Sequence, residues 1–248
     1  MTSQRTAMIT GAARGIGAEI SRRLAAKGLK VILVDVLSEV EETASLIKGQ
    51  ASFAMFDLAR LDAIETFVRA LVDEHGPIDI VVNNAGISPK HGGKRAPLEA
   101  TSLEEWQSVI DVNLTASFLV TKAAMPEMRE RKWGRIVNIS SQAARTRSTV
   151  AGLHYAASKA GLLGLSRALA GEVGVDGVTV NCIAPGRIAT PMADVAGDAV
   201  NTAYVQSIPV SRIGQPTDVA ETVSFLASDE AGFITGAVID VNGGHFMG

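Results

Sequence analysis

Tyr155 and Lys159 stand four positions apart in the stretch "HYAASKAG", in a chain that has only 2 tyrosines among its 248 residues. On a helix, positions i and i+4 share a face, so the phenol and the ammonium are neighbours. A free phenol, with a pKa near ~10, is a poor base at neutral pH. An ammonium about 5 Å away, at an effective dielectric of about 20, favours the phenolate by roughly 3 kcal/mol. That corresponds to a shift of about two pKa units toward neutrality. A phenol tuned in this way can exchange a proton with an alcohol or a carbonyl. The competing reading is a surface Tyr–Lys pair, and the rest of the chain must decide between the two.

A second group of residues points to a dinucleotide. "ITGAARGIGAEI" places Gly11, Gly15 and Gly17 where an apolar run gives way to a helical pattern. Glycines at such a turn let backbone N–H groups approach a pyrophosphate, and the helix start adds its positive dipole end. The spacing is G-x-x-x-G-x-G rather than G-x-G-x-x-G, and no Gly-Lys-Ser/Thr follows, so it is not a P-loop. The next apolar run, "VILVDV", carries Asp35 at its end. A carboxylate there can accept hydrogen bonds from an adenosine ribose and would repel a 2′-phosphate. The expected cofactor is therefore NAD. Arg14, inside the glycine loop, is the one residue that argues for NADP.

The elements that must hold these residues alternate from end to end. "TAMIT", "KVILVDV", "ASFAMF", "IDIVVN", "GRIVNIS", "VTVNCI" and "AVIDV" read as seven strands with helical patterns between them. In the first helix Ile16, Ile20 and Leu24 recur every fourth position. Such alternation predicts right-handed crossovers and one parallel sheet covered on both faces, a doubly wound α/β Rossmann fold. The length fits a single domain over 1–248, with a lid over about 187–215. Long helices are expected over 102–131 and 152–173.

Composition narrows the function classes. The formal charge is −3, from 23 basic and 26 acidic residues, which argues against a nucleic-acid or membrane-surface binder. Cys182 is the only cysteine and lies in an apolar run, so no internal disulfide or cysteine metal cluster can form. The histidines show no ligand spacing, so no metal is expected. No apolar run approaches the ~18 residues needed to span a membrane, and no secretory leader pattern is seen. The expectation is a soluble protein of the reducing cytoplasm.

The chain resembles the short-chain dehydrogenase/reductase family over nearly its whole length. The matching pieces are "TGAARGIG" at 10–17, "NNAG" at 83–86, Asn113 in "DVNLTASF", "GRIVNISS" at 134–141, "YAASK" at 155–159 and "PGRIATPM" at 185–192, followed by the closing "ASDEAGFITGAVIDVNGG". The resemblance implies that Tyr155 is the proton-transferring residue and that Lys159 acidifies it and holds the nicotinamide ribose. It further implies that Ser141, rather than neighbouring Ser140, orients the substrate, and that Asn113 lies on a water-linked proton path. For the cofactor it implies Gly11, Arg14, Gly15, Ile16, Gly17 and Asp35, with Asp57 and Leu58 at the adenine. The segment with Asn83, Ala85 and Gly86 would pass beneath adenine and ribose, Asn83 bracing the strand and Gly86 clearing space. Pro185, Gly186, Ile188 and Thr190 would shape the nicotinamide end. A homotetramer, pairing the long helices, is the family's common assembly.

These residues together imply reversible interconversion of a secondary alcohol and a ketone with NAD. The lid residues Met192, Val195, Ala196, Val200 and Tyr204 favour a hydrophobic alcohol, aryl or cyclic. The alternative within the class is a 3-oxoacyl thioester reductase, and from another class a cofactor-binding scaffold without turnover. Two readings stand for the basic loop "SPKHGGKRAPL": a solvated segment, or a surface formed by Lys90, His91, Lys94 and Arg95 that attracts a polar or anionic substrate. His154, beside the tyrosine, points about 100° away on a helix and is not expected to be catalytic.

Overall fold

The computed structural model describes residues 4–191 and 198–248, with only the backbone of residues 198–201 and 203. Seven strands form one parallel sheet: β1 (Thr6–Thr10), β2 (Lys30–Asp35), β3 (Ala51–Met55), β4 (Ile80–Asn83), β5 (Gly134–Ile139), β6 (Val178–Pro185) and β7 (Val238–Val241). Their order is β3-β2-β1-β4-β5-β6-β7, and every neighbouring pair is parallel. The seven runs read from sequence are these seven strands. Parallel strands are covered on both faces, which is why their sequences are almost continuously apolar.

Alternation along each strand divides the core in two. Ala7 and Ile9 of β1 face one layer with Leu33 and Val82, while Met8 faces the other with Ile32, Val34 and Val81. The first layer is closed by α1 (Gly15–Ala26) and a helix near the C-terminus (Pro216–Leu226), through Ile20, Leu24, Val219 and Val223. The second is closed by helices α3 (Ile64–His75) and α5 (Ala116–Glu130), and by the C-terminal half of α6 (Leu153–Val173). A short α2 (Glu39–Ser45) follows β2, and α4 (Leu103–Ile110) precedes α5. The last two helices are α7 (Asp198–Ser207) and α8 (Pro216–Leu226).

One expected element is different. The single long helix read over 102–131 is broken at Asp111–Thr115 by five residues of wider, π-helical winding, with Asn113 in the middle. Such windings insert a residue into the helix and are frequent at functional sites. Neither the periodicity of α4 nor that of α5 marks it.

The strand order reverses around β1, with β2 on one side and β4 on the other, so a crevice opens at the carboxyl ends of those strands. There the loops after β1 and β4 are tied together. Asn84 Nδ2 donates to the carbonyls of Thr10 and Gly11, both at 2.9 Å. Thr10 Oγ1 accepts the N–H groups of Asn84 and Ala85, both at 3.1 Å. Gly11 has φ +66, and a Cβ on it would lie 2.8 Å from Ala85 Cα.

Gly17 packs α1 directly on this tie. A Cβ there would fall 2.2 Å from Gly11 O and 2.6 Å from Asn84 Nδ2. Gly17→Ala is therefore expected to destabilise the protein by about 1–3 kcal/mol through overpacking. At this size each kcal/mol lowers the thermal midpoint by about 2–4 °C. An unchanged midpoint would show that α1 can back away from the loop without cost.

Candidate active site

A cleft of about 1480 Å³ runs along the carboxyl edge of the sheet. It brings together Gly11, Arg14, Gly15, Ile16 and Asp35 from the first two strand ends, with Asp57 and Leu58 after β3. Ala85 and Gly86 line its middle, and Ser141, Tyr155 and Lys159 its floor. Pro185, Gly186, Ile188 and Thr190, after β6, complete the wall. Three residues named from sequence, Gly17, Asn83 and Asn113, do not line it. They stand behind the wall and hold it in place.

Asn83 is 2% exposed and donates through Nδ2 to Asn138 Oδ1 at 2.7 Å and Thr121 Oγ1 at 3.0 Å. Asn138 passes the chain on to Ser166 Oγ at 2.7 Å, and Ser166 meets Cys182 Sγ at 3.0 Å. This buried polar chain ties β4, β5 and β6 to α5 and α6, so Asn83 braces the sheet instead of touching the cleft. Cys182 is a core thiol, pushed up to about 11 by burial. Asn113 is fully buried in the π-helical turn. Its Oδ1 accepts the Ile87 N–H at 2.8 Å, and its Nδ2 donates to Ile87 O and Ser158 Oγ at 3.0 and 3.1 Å.

The nucleotide end shows the cradle that the glycines imply. Gly15, at φ +60, opens α1, whose start has no side-chain cap, so its N–H groups face the cleft unclaimed by a side chain. Thr190 reaches to within 3.4 Å of where a Gly15 Cβ would sit. Asp35 is fastened at both oxygens: Oδ2 accepts the Ala13 N–H at 2.9 Å and Oδ1 the Leu37 N–H at 3.1 Å. Its charge is thus fixed beside the glycine loop. Arg14, at the N-cap of α1, is exposed and lines the same end. Phe56, Val36 and Leu37 line it as well and were not singled out from sequence. Phe56 stacks on Phe67 with centroids 4.0 Å apart. This donor set and shape fit a dinucleotide.

At the other end Ser140 and Ser141 both line the cleft but differ in their partners. Ser140 Oγ is committed to the Lys159 carbonyl at 2.8 Å and is 3% exposed. Ser141 also lines the cleft and accepts the Ala143 N–H at 3.1 Å. Lys159 is 3% exposed, and its Nζ donates to Ile139 O at 2.8 Å. The ammonium lies 5.8 Å from the centre of the Tyr155 ring.

The electrostatics correct one expectation. From sequence Lys159 acidifies Tyr155. In the structure burial dominates both groups: it pushes the Tyr155 phenol up, with the Ser141 hydrogen bond opposing. It also pushes Lys159 down, to about 8. Lys159 is buried while Tyr155 keeps part of its surface in the cleft, a difference that helix spacing alone did not reveal.

His154 is fully buried beside Tyr155. Its Nδ1 accepts the Tyr155 N–H at 2.7 Å, which puts the ring proton on Nε2, donated to Glu105 Oε1 at 2.8 Å. It does not face the cleft, as the helix geometry indicated. Of the lid residues, Met192, Val195 and Ala196 lie outside the described residues, as does the side chain of Val200. Tyr204 donates to Gln142 Oε1 at 3.0 Å and stacks on His245 at 4.5 Å. Among the described residues, no helix is long and apolar enough to cross a membrane, and no group of three His, Cys, Asp or Glu is placed to hold a metal ion.

A parallel sheet in this order, with a glycine cradle at its switch point and a Ser–Tyr–Lys floor, defines a dinucleotide-dependent oxidoreductase. The chain belongs to the short-chain dehydrogenase/reductase family: residues 11–245 match the family model described as "Enoyl-(Acyl carrier protein) reductase". It is 38% identical to a 3-oxoacyl-(acyl-carrier-protein) reductase of Vibrio cholerae, over 98% of each chain. It is 41% identical to an acetoacetyl-CoA reductase of Shinella zoogloeoides, over 98% of this chain and 99% of that one. A solved 3-oxoacyl-(acyl-carrier-protein) reductase of Brucella melitensis with bound NAD superposes with a TM-score of 0.92 at 40% identity, covering 100% of this chain and 93% of that one. A candidate NAD(P)-dependent gluconate 5-dehydrogenase of Beutenbergia cavernae, with NADP at low occupancy, superposes with a TM-score of 0.92 at 35% identity, over 98% and 97%.

The buried ammonium has a measurable signature. Its folded pKa of about 8 lies below the ordinary 10.5, so between those values the unfolded chain binds more protons and stability rises with pH. Below about 8 the charge is buried in full; above 10.5 it is neutral in both states. Relative to Lys159→Met, the native protein is expected to gain up to about 3 kcal/mol across that window, read from urea midpoints. A difference that stays flat with pH would mean the ammonium is not desolvated.

Proposed function

We propose that this protein reduces a 3-oxoacyl thioester to the corresponding 3-hydroxyacyl thioester, with NADH as the reductant. The observation that supports this reading is the placement of Ser141, Tyr155 and Lys159 together on the cleft floor. A phenol in that position can give its proton to a carbonyl oxygen as hydride reaches the carbon. The names of the Vibrio and Shinella relatives support the substrate class. They favour it over the hydrophobic secondary alcohol that the lid composition points to.

Gly11, Gly15, Ile16 and the start of α1 would hold the pyrophosphate, Asp35 the adenosine ribose, and Asp57 and Leu58 the adenine. Ile188 and Thr190 would hold the nicotinamide end, and Lys159 the second ribose. When bound, the reduced nicotinamide supplies the hydride. Ser141 hydrogen-bonds the ketone oxygen and orients it toward Tyr155. Tyr155 gives its proton to that oxygen, and Lys159, protonated below about pH 8, places positive charge beside the phenolate that remains. A proton from solvent then restores the phenol.

Asp35 supports NADH over NADPH, because a carboxylate held by two backbone N–H groups cannot swing away from a 2′-phosphate. A cytoplasmic homotetramer fits the same reading. Leu103, Phe118 and Leu153 stand exposed on α4, α5 and α6, where subunits of the family pair.

With acetoacetyl-CoA as substrate, Tyr155→Phe is expected to lower kcat by about 10²–10⁴-fold while cofactor Kd stays within a few-fold. Retained turnover would refute Tyr155 as the acid. Asp35→Ser should raise the NADPH/NADH ratio of kcat/KM at least about 10-fold, the size of one lost charge repulsion of about 1.4 kcal/mol. A native enzyme that already prefers NADPH would show that Arg14 outweighs Asp35.

A further inference from the structure

The basic loop after β4 is exposed over residues 91–95 but is an ordered hairpin. Gly92 and Gly93, at φ +56 and +77, turn it in two residues. Around that turn His91 N donates to Lys94 O at 2.9 Å and Lys94 N to His91 O at 3.1 Å. This is the tight hairpin for which a Gly-Gly pair is suited. Three side-chain contacts then fasten it. His91 Nε2 meets Glu105 Oε2 at 2.7 Å, Arg95 Nη1 donates to Ser148 O at 3.2 Å, and Lys90 Nζ donates to Val150 O. Glu105 is the carboxylate that also holds His154, so the hairpin and the turn bearing Tyr155 are tied to one group.

What this clasp presents to the cleft is positive charge. Lys90, from the hairpin, lines the substrate end together with Arg147, from the segment before α6, and Arg187, after β6. Among the described residues lining the cleft, the only carboxylates are Asp35 and Asp57, both at the nucleotide end. Lys90 is half-buried, and burial together with the Arg187 charge pulls its pKa down. An ammonium has three donors, and Val150 O takes one of them. Arg147 makes no hydrogen bond or ion pair among the described residues. Lys90 is half-buried and Arg147 exposed at the same cleft, and an anion between two such cations would be held by both.

We propose that Lys90 and Arg147 form an anion-recognition element of the substrate subsite, so that this protein selects ketones carrying a carboxylate or phosphate. The proposal rests on the placement of Tyr155 and Ser141 as the reacting floor in the reading above. It goes further in naming the charged group of the substrate and the residues that choose it. Glu105 is a positioning residue in this scheme, because it acts through His91 on the hairpin that carries Lys90.

Two matched pairs of ketones test it: acetoacetate against methyl acetoacetate, and acetoacetyl-CoA against acetoacetyl-pantetheine, which lacks phosphate. The readouts are kcat/KM with NADH, and calorimetric titration of the same ligands in the presence of NAD, which reads binding without turnover. In the native protein the charged member of at least one pair should be preferred about 10-fold or more, the size of a single well-placed ion pair of about 1.4 kcal/mol. Lys90→Gln combined with Arg147→Gln should cut that ratio at least about 10-fold, mainly through KM and Kd, and Lys90→Arg should retain it. A loss confined to the first pair identifies a carboxylate, and one confined to the second identifies the phosphate of a thioester carrier. No preference in either pair, or variants that weaken both members alike, would overturn the proposal. Preference for acetoacetate with no turnover of either thioester would keep the anion element and remove the thioester reading. Thioester turnover with an unchanged ratio would do the reverse.

Discussion

The structure is organised around a lysine ammonium taken out of water. Lys159 is 3% exposed, and a buried charge of this kind is costly unless it is hydrogen-bonded. Ile139, the last residue of β5, supplies a carbonyl at 2.8 Å. For that carbonyl to be available the chain must leave the sheet there, and the Ser140 hydroxyl holds α6 against the strand end by binding the Lys159 carbonyl. Gly86 must be small as well, since a Cβ on it would stand 3.2 Å from both Lys159 Nζ and Asn113 Oδ1. The break between α4 and α5 lets Asn113 close the pocket from behind. Strand end, helix packing, glycine and π-helical turn all answer to one charge.

The same burial explains the Tyr155 result. A Coulomb estimate at helix spacing counts the charge of the lysine and leaves out the desolvation of the phenol, and then the lysine wins. With α6 pressed on the sheet, desolvation penalises phenolate and ammonium together. The two groups are thereby moved toward their neutral forms. Which effect prevails depends on the depth of packing, a tertiary quantity.

The architecture was legible because parallel strands are apolar on both faces and α1 has a clean four-residue repeat at Ile16, Ile20 and Leu24. The cleft residues were legible because glycines spaced at a strand-to-helix turn, as at Gly11 and Gly15, and a carboxylate at the next strand end form a pattern suited to a dinucleotide. Three things were not legible. The π-helical turn leaves no periodic trace. Asn84, which ties two loops, is indistinguishable from its neighbour Asn83 in sequence, though one faces a loop and the other the core. The Glu105–His91 and Glu105–His154 contacts join residues far apart in the chain, and nothing local announces them. The "HGG" within the basic loop did carry a turn signal that its charge overshadowed.

The hairpin is held on one side by side chains and on the other by main chain. Lys90 and Arg95 grip the carbonyls of Val150 and Ser148, not their side chains. Every amino acid has a carbonyl, so residues 146–151, apart from Ser148 whose hydroxyl accepts the Val150 and Ala151 N–H groups, can drift in identity while the grip persists. Evolution could thus retune what this pocket accepts by changing that segment alone. The nucleotide half, built on the glycine cradle and Asp35, would not be disturbed. Directed libraries confined to those positions would sample new specificities on an intact cofactor platform.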